Sequence, residues 1–159
     1  MRGHHASVGL ALFQPDIAPN AGAMLRLAAC LGIAVDIIEP TGFVLTDARL
    51  RRAGMDYLDR VELRRHVSWE AFQAARSGRV VLLTTRGATL LQRAAFEPSD
   101  VLMVGSETAG VPQFVHDAAA LRVRIPMRQG MRSLNVALAA AMVLGAALGQ
   151  TGLWPEEDA

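Results

Sequence analysis

There is no lysine anywhere in this chain of 159 residues, and all 16 of its basic side chains are arginine. Any mechanism that needs a lysine Schiff base or a phosphate-loop lysine is thereby excluded. A single cysteine, Cys30 in "LAACLG", rules out an intramolecular disulfide and suits a cytoplasmic protein. It stands on an apolar helical stretch, and we read it as a small core residue rather than a nucleophile. The histidines, His4, His5, His66 and His116, lack companions at ligand-like spacing, so no metal is expected. The patterns GxSxG, GxxxxGKS/T and GxGxxG are missing too, which argues against a serine hydrolase, a P-loop enzyme and a Rossmann dehydrogenase. With a net charge of +1 the chain is no general polyelectrolyte binder. "MRGHHASVG" has no apolar core ahead of a small-residue cleavage site, so no signal peptide is expected, and His4 and His5 carry no weight.

What is present is a hydrophobic content of 52% against 19% charged residues, enough for one domain with its own core over residues 1–159. "SVGLALF", "AVDIIEP", "VELRRH", "RVVLLTT", "DVLMVGSE" and "LRVRIPM" read as strands. Between them, "AMLRLAACLG" reads as an amphipathic helix stopped by Gly32, and "SWEAFQAAR" as a helix with Ser68 at its N-cap. "TDARLRRAGMDYLD" predicts a short helix capped by Thr46 or Asp47, and "VPQFVHDAA" one with Pro112 just inside its start. The connection "RGATLLQRAAFEPS" carries short apolar patches with helical potential. From Ser133 to Gly149 the chain is uncharged and rich in alanine and glycine; it predicts a buried last helix beginning at Ser133, not a membrane span. Strands alternating with helices predict an α/β fold with a mainly parallel sheet flanked by helices.

Parallel sheets bind ligands outside the carboxyl ends of their strands. Three junctions qualify: Leu83-Thr84-Thr85, the "GSETAG" turn from Gly105 to Gly110, and Ile125-Pro126-Met127. Glu107 either caps the next helix or meets a ligand or an arginine. Asn20 in "NAGAMLR" is at least a good N-cap, and Arg26 lies in an apolar context, where it either snorkels or faces an anion. The stretch "DARLRRAGMDYLDRVELRRH", with six arginines against four acids, reads as a solvated face with ion pairs. Arg128 and Arg132, in a glycine-containing loop, suit phosphate better, because a guanidinium grips phosphate with two parallel hydrogen bonds.

"LALFQPDIAPNAGAMLRLAACLG", "IIEPTGF", "LRRAGMDY", "LLTTRG", "VGSETAGVP" and "IPMRQGMRSLNVALAAAMV" follow one another in a distinctive order. From about Val8 to Gly149 the chain thereby resembles the SPOUT-superfamily RNA ribose 2′-O-methyltransferases, above all the small TrmL-like tRNA (cytidine/uridine-34-2′-O)-methyltransferases. The resemblance implies a deep C-terminal trefoil knot, which topology alone would argue against because knots are rare. It also implies a homodimer and S-adenosyl-L-methionine as cofactor, converted to S-adenosyl-L-homocysteine, with no metal and no membrane. Carried over by position, Leu83, Thr84, Gly105, Glu107, Ile125, Met127, Ser133 and Asn135 would bind the cofactor. Arg26, Asn20, Ser133 and Asn135 would stand near the reacting groups. The tRNA anticodon stem-loop would meet Arg26, Arg52, Arg128 and Arg132 without an appended RNA-binding domain. Ala137, the small residues near Gly145, and Ala109 depart from the family pattern and put the knot-helix packing and one RNA contact in doubt. Another RNA target, such as ribosomal RNA, or a non-catalytic RNA-binding or cofactor-sensing module are the competing readings.

Overall fold

The computed structural model describes residues 7–44 and 58–157. The expected helix over "TDARLRRAGMDYLD", Arg52, and the His4–His5 pair lie outside the described residues, apart from a 3-10 turn at Leu58–Arg60. Seven strands form one sheet: β1 Gly9–Phe13, β2 Val35–Ile38, β3 Leu63–His66, β4 Val80–Leu83, β5 Thr89–Leu90, β6 Val101–Val104 and β7 Leu121–Arg124. Their spatial order is β3-β2-β1-β6-β4-β7-β5, and every pairing is parallel.

The strand sequences account for that order. β1 "GLALF", β2 "VDII" and β6 "VLMV" are buried at every position, as strands covered on both faces must be. β3 "LRRH" has a polar, half-exposed pattern and stands at one edge; β5, two residues long, stands at the other. Short or charged edges discourage unwanted pairing with a second sheet. Arg64 on β3 reaches back to buried Asp36 of β2 through Nε at 3.0 Å and Nη2 at 3.3 Å, and the His66 Nε2 lies 2.7 Å from the same carboxylate. Arg65 meets Glu39 at 2.9 Å, so this end of the arginine-rich stretch does form the expected ion pairs.

Side-chain alternation along the strands divides the core in two. Leu10, Leu12, Val35, Ile37, Leu102 and Val104 pack on one face against α1 (Ala18–Leu31) and α4 (Val136–Thr151). On the other face Ala11, Phe13, Ile38, Leu82 and Met103 meet Phe72 of α2 (Trp69–Ala75) and Val115 of α3 (Gln113–Ala118). Ser68 caps α2 as expected, its Oγ accepting from Ala71 N at 3.1 Å. Gly32 ends α1 in the left-handed region, φ 67°, with its N–H turned back to Ala28 and Ala29.

Several boundaries differ from the sequence reading. α1 begins five residues before "AMLRLAACLG" would suggest and takes Ile17, not Asn20, at its N-cap; Pro19, which needs no donor there, sits in the first turn. Cys30 is exposed rather than a core residue. The buried face of α1 carries Ala21, Met24, Leu25 and Ala28, and two residues beyond Ala28 the helix has turned about 200° away. Pro112 is the N-cap of α3 rather than its first residue. The "RGATLLQRAAFEPS" connection supplies β5 and a 3-10 turn at Leu91–Arg93 instead of a helix. α4 starts at Val136, not Ser133, because Asn135 Oδ1 accepts from Ala137 N at 2.9 Å and Leu138 N at 3.2 Å. Among the described residues no helix is long and apolar enough to cross a membrane. The uncharged run is α4, which buries Ala140, Val143, Leu144, Ala147 and Leu148 yet leaves Leu138 and Met142 exposed.

Candidate functional site

At the carboxyl ends of β4, β6 and β7 a cavity of about 670 Å³ opens between the strand-end loops and the starts of α1 and α4. That volume lies in the range of small-molecule pockets. All eight residues expected to bind a cofactor line it: Leu83 and Thr84 after β4, Gly105 and Glu107 after β6, Ile125 and Met127 after β7, and Ser133 and Asn135 before α4. Asn20 lines it as well, and Asn135 Nδ2 donates to Asn20 Oδ1 at 3.1 Å. Asn135 therefore uses one end of its amide to cap α4 and the other to hold α4 to α1. Arg26 is exposed on α1 outside the cavity wall, six residues beyond Asn20, or about 9 Å along the helix axis. Arg128 and Arg132 are exposed in the loop between Met127 and Ser133, at the cavity rim rather than in its wall. Gly130, φ 89°, and a turn bond from Met131 N to Arg128 O at 3.2 Å reverse that loop.

Each strand-end loop is closed by its own backbone. Thr84 N donates to Val123 O at 3.0 Å and Gly87 N to Thr84 O at 3.1 Å, which folds the "TTRG" turn onto β7. A Cβ on Gly87 would lie 2.8 Å from the Val123 carbonyl carbon, so only glycine permits the turn to lie this close. Ser106 and Gly110 exchange main-chain bonds of 3.1 and 2.8 Å, and Ser106 Oγ accepts from Ala109 N at 3.1 Å. A Cβ on Gly105 would stand 2.7 Å from the Gly110 carbonyl carbon. Gly105→Ala is therefore expected to push this hairpin open and weaken the binding of a ligand in this cavity about tenfold or more while the protein still melts cooperatively. Isothermal titration and a thermal melt check both halves of that expectation.

Glu107 neither caps a helix nor holds an arginine. Its N donates to Asp16 Oδ1 at 3.0 Å, its Oε2 accepts from Asp16 N at 3.2 Å, and Thr108 donates its hydroxyl to the same Asp16 carboxylate. Burial, then the hydrogen bond to Asp16, raises the Glu107 carboxyl above its ordinary range. Bonds from Glu107 and Thr108 hold Asp16 well below its own. Two adjacent carboxylates resist ionising together, and of the two Glu107 is the weaker acid. Glu107 lines the cavity, and its Oε1 is buried with no hydrogen-bond partner.

Sequence reasoning missed Asp16, Arg86 and His116. Arg86 and His116 line the cavity, with Arg86 Nη2 2.7 Å from His116 Nε2. Arg122 Nη1 donates to the His116 carbonyl at 2.6 Å. Burial, then the neighbouring charges of Arg86 and Arg122, lowers the His116 pKa, so the ring is neutral and its Nε2 accepts from Arg86. Arg86 carried a signal in the sequence, a guanidinium one residue past a suspected strand-end junction. His116 carried none, because its partner stands 30 residues away in the chain. Among the described residues no group of three or more His, Cys, Asp or Glu side chains stands together as a metal cage would require.

Residues 7–145 match the SpoU rRNA methylase family. A tRNA (cytidine(34)-2′-O)-methyltransferase of Ancylobacter novellus is 54% identical over 149 residues, covering 92% of this chain and 94% of its own. The Beijerinckia indica protein of the same description is 57% identical over 146 residues, 90% of this chain and 91% of its own. The Escherichia coli one is 39% identical over 148 residues, 91% and 94%. A solved structure concerned with the 2-OH methylation of C/U34 on tRNA superposes with a TM-score of 0.85 at 39% identity, over 93% of this chain and 97% of that one.

Proposed function

The chain belongs to the SpoU methylase family, and from that premise we propose that it transfers a methyl group from S-adenosyl-L-methionine to the ribose 2′-hydroxyl of nucleotide 34, cytidine or uridine, in tRNA. The observation that carries this reading is the meeting of three strand-end loops with the starts of α1 and α4 around one cavity. The family also implies that the segment from β7 into α4 is the knotted part of the chain.

The cavity fits the cofactor. Leu83, Val104, Ile125 and Val136 give it apolar walls for an adenine ring, and Gly87 and Gly105 let the loops that bound it close against Val123 and Gly110. The partnerless Glu107 Oε1 is an acceptor in search of a donor such as a ribose hydroxyl or an ammonium group. When bound, the cofactor supplies a methyl group on a positively charged sulfur, and in-line displacement by a 2′-oxygen then depends on alignment. Asn20 and Asn135, tied to each other, fix the floor against which the hydroxyl is aligned. A guanidinium is no general base, so the part of Arg26 is to hold the adjoining phosphate and to stabilise negative charge as the hydroxyl loses its proton.

Arg128 and Arg132, at the rim, supply guanidinium groups for the phosphates of the anticodon stem-loop. A homodimer completes the reading. Leu138 at 62% and Met142 at 48% exposure leave an apolar stripe on α4 that a second subunit would cover, and Met131 and Trp154 extend the exposed apolar surface. A tRNA substrate places the enzyme in the cytoplasm.

Purified protein incubated with labelled cofactor and undermodified tRNA from its own source is expected to label the ribose of nucleotide 34. The family's description favours one further reading, methylation of ribosomal RNA. Label found in ribosomal RNA and not in tRNA would establish that reading instead. Absence of label from both would overturn the enzyme assignment.

A further inference from the structure

We infer that Arg86, held by the His116 ring, is the subsite for the carboxylate of the cofactor's amino-acid tail. This rests on the cofactor reading proposed above and assigns a residue to a part of the ligand that the apolar walls and main-chain contacts leave unaccounted for.

A sulfonium cofactor of this class carries one carboxylate. A carboxylate drawn out of water needs a cationic or multiple hydrogen-bonding partner, and the cavity wall is where one would stand. Among the described residues that line it, Arg86 alone is a cationic side chain. Arg26, Arg128 and Arg132, the cations that the sequence singled out, are not in its wall. Nor is Arg86 consumed by an ion pair: among the described residues its guanidinium meets the His116 ring nitrogen and no carboxylate. Four of its five N–H donors remain for a ligand.

The contact between Arg86 and His116 also has the polarity that such a subsite needs. A guanidinium next to imidazole is stable only if the imidazole nitrogen accepts, and His116 is buried, with Arg122 and Arg86 both opposing its protonation and Asp117 alone favouring it. Arg122 fixes the backbone of His116 through its carbonyl. The Arg86 backbone is fixed as well, its N donating to Thr84 Oγ1 at 3.2 Å inside the "TTRG" turn. A side chain with many rotamers is thereby pinned at both ends before any ligand arrives, which lowers the ordering cost of binding.

The test compares two ligands by isothermal titration on the full chain. S-adenosylhomocysteine has the carboxylate; 5′-methylthioadenosine keeps the adenosine and the thioether but lacks the amino-acid tail. Arg86→Gln is expected to weaken S-adenosylhomocysteine about ten- to a hundredfold and to leave 5′-methylthioadenosine within about twofold, as removal of a charge-assisted bond predicts. Arg86→Lys should recover part of the loss. His116→Phe, which removes the acceptor, should weaken S-adenosylhomocysteine by a smaller factor with 5′-methylthioadenosine again spared. Unchanged binding of 5′-methylthioadenosine shows in the same experiment that the variant pocket is folded.

An equal loss for both ligands would mean that Arg86 builds the pocket or stacks on adenine, and would overturn the inference. So would an unchanged affinity for both. Loss of tRNA binding without cofactor, with S-adenosylhomocysteine affinity intact, would assign Arg86 to an RNA phosphate instead. If the wild-type protein binds neither adenosyl ligand, the cofactor reading itself fails and the inference falls with it; if it binds both and the variants do not discriminate, the inference alone fails.

Discussion

Arg26→Ala is expected to slow methyl transfer to tRNA about a thousandfold, the scale of removing a group that stabilises developing negative charge. S-adenosylhomocysteine affinity should stay at the wild-type level. The two halves separate because Arg26 stands on the exposed side of α1, outside the wall of the cavity that would hold the cofactor. Asn20, at the start of the same helix, is in that wall. On the proposed reading the phosphate-binding and cofactor-facing residues of this helix therefore stand on different turns. Arg26→Lys sharpens the claim. Lysine keeps the charge but cannot make two parallel bonds to a phosphate, and the exchange is not conservative where that geometry matters. Single-turnover rates across pH should show the Lys variant slowed at every pH, with the profile unshifted. Near wild-type rates would sink the bidentate role, and a shifted profile would mean that residue 26 itself exchanges the proton.

Gly78→Ala should produce the largest loss of stability of any methyl-sized change in the sheet. Gly78 is buried just before β4, and a Cβ there would stand 1.7 Å from the Ser99 carbonyl oxygen and 2.8 Å from its carbon. No rotamer relieves the overlap, because both atoms are main chain. The backbone on the far side is pinned: Asp100, fully buried, accepts from Arg79 Nε at 2.7 Å and from Glu97 N at 2.8 Å, and Val101 N donates to Arg79 O at 2.9 Å. Relief must come from parting the entry of β4 from that of β6, which strains the Arg79–Asp100 pair as well. We expect a loss of about 2–4 kcal/mol, or a fall in melting temperature of roughly 10 °C. Gly145→Ala is the control. Its Cβ would lie 3.9 Å from the Trp154 ring, an ordinary contact, and alanine favours a helix, so the melting temperature should hold or rise. A Gly78→Ala protein as stable as the control would show that the two strand entries are not tightly joined.

The central strands could be read from the chain because Leu10 to Phe13, Val80 to Leu82 and Val101 to Val104 are apolar without alternation, which leaves them no wet face. The helix stops at Gly32 and the cap at Ser68 were equally plain, being settled within one turn of backbone. Cys30 misled because its neighbours in sequence are apolar while its neighbours on the helix surface are not the buried ones. Ser133 misled because three polar residues precede α4 and only the geometry of Asn135 decides which of them caps it.

The strand-end loops were suspected from their composition, and the cavity does gather them. What composition could not convey is which distant side chains meet there. Asp16 and Glu107 are 91 residues apart, Asn20 and Asn135 are 115 apart, and Arg86 and His116 are 30 apart. Each contact exists because β1 lies beside β6 and β4 lies between β6 and β7, an order that leaves no periodic trace in the chain. Local patterns determined the elements, the parallel sheet and the loops that would face a ligand, since burial and capping act over a few residues. The raised carboxyl of Glu107, the arginine braced by a neutral histidine and the asparagine that joins two helices were decided by the tertiary structure alone, since each depends on burial and on partners that only the completed sheet brings within hydrogen-bond distance.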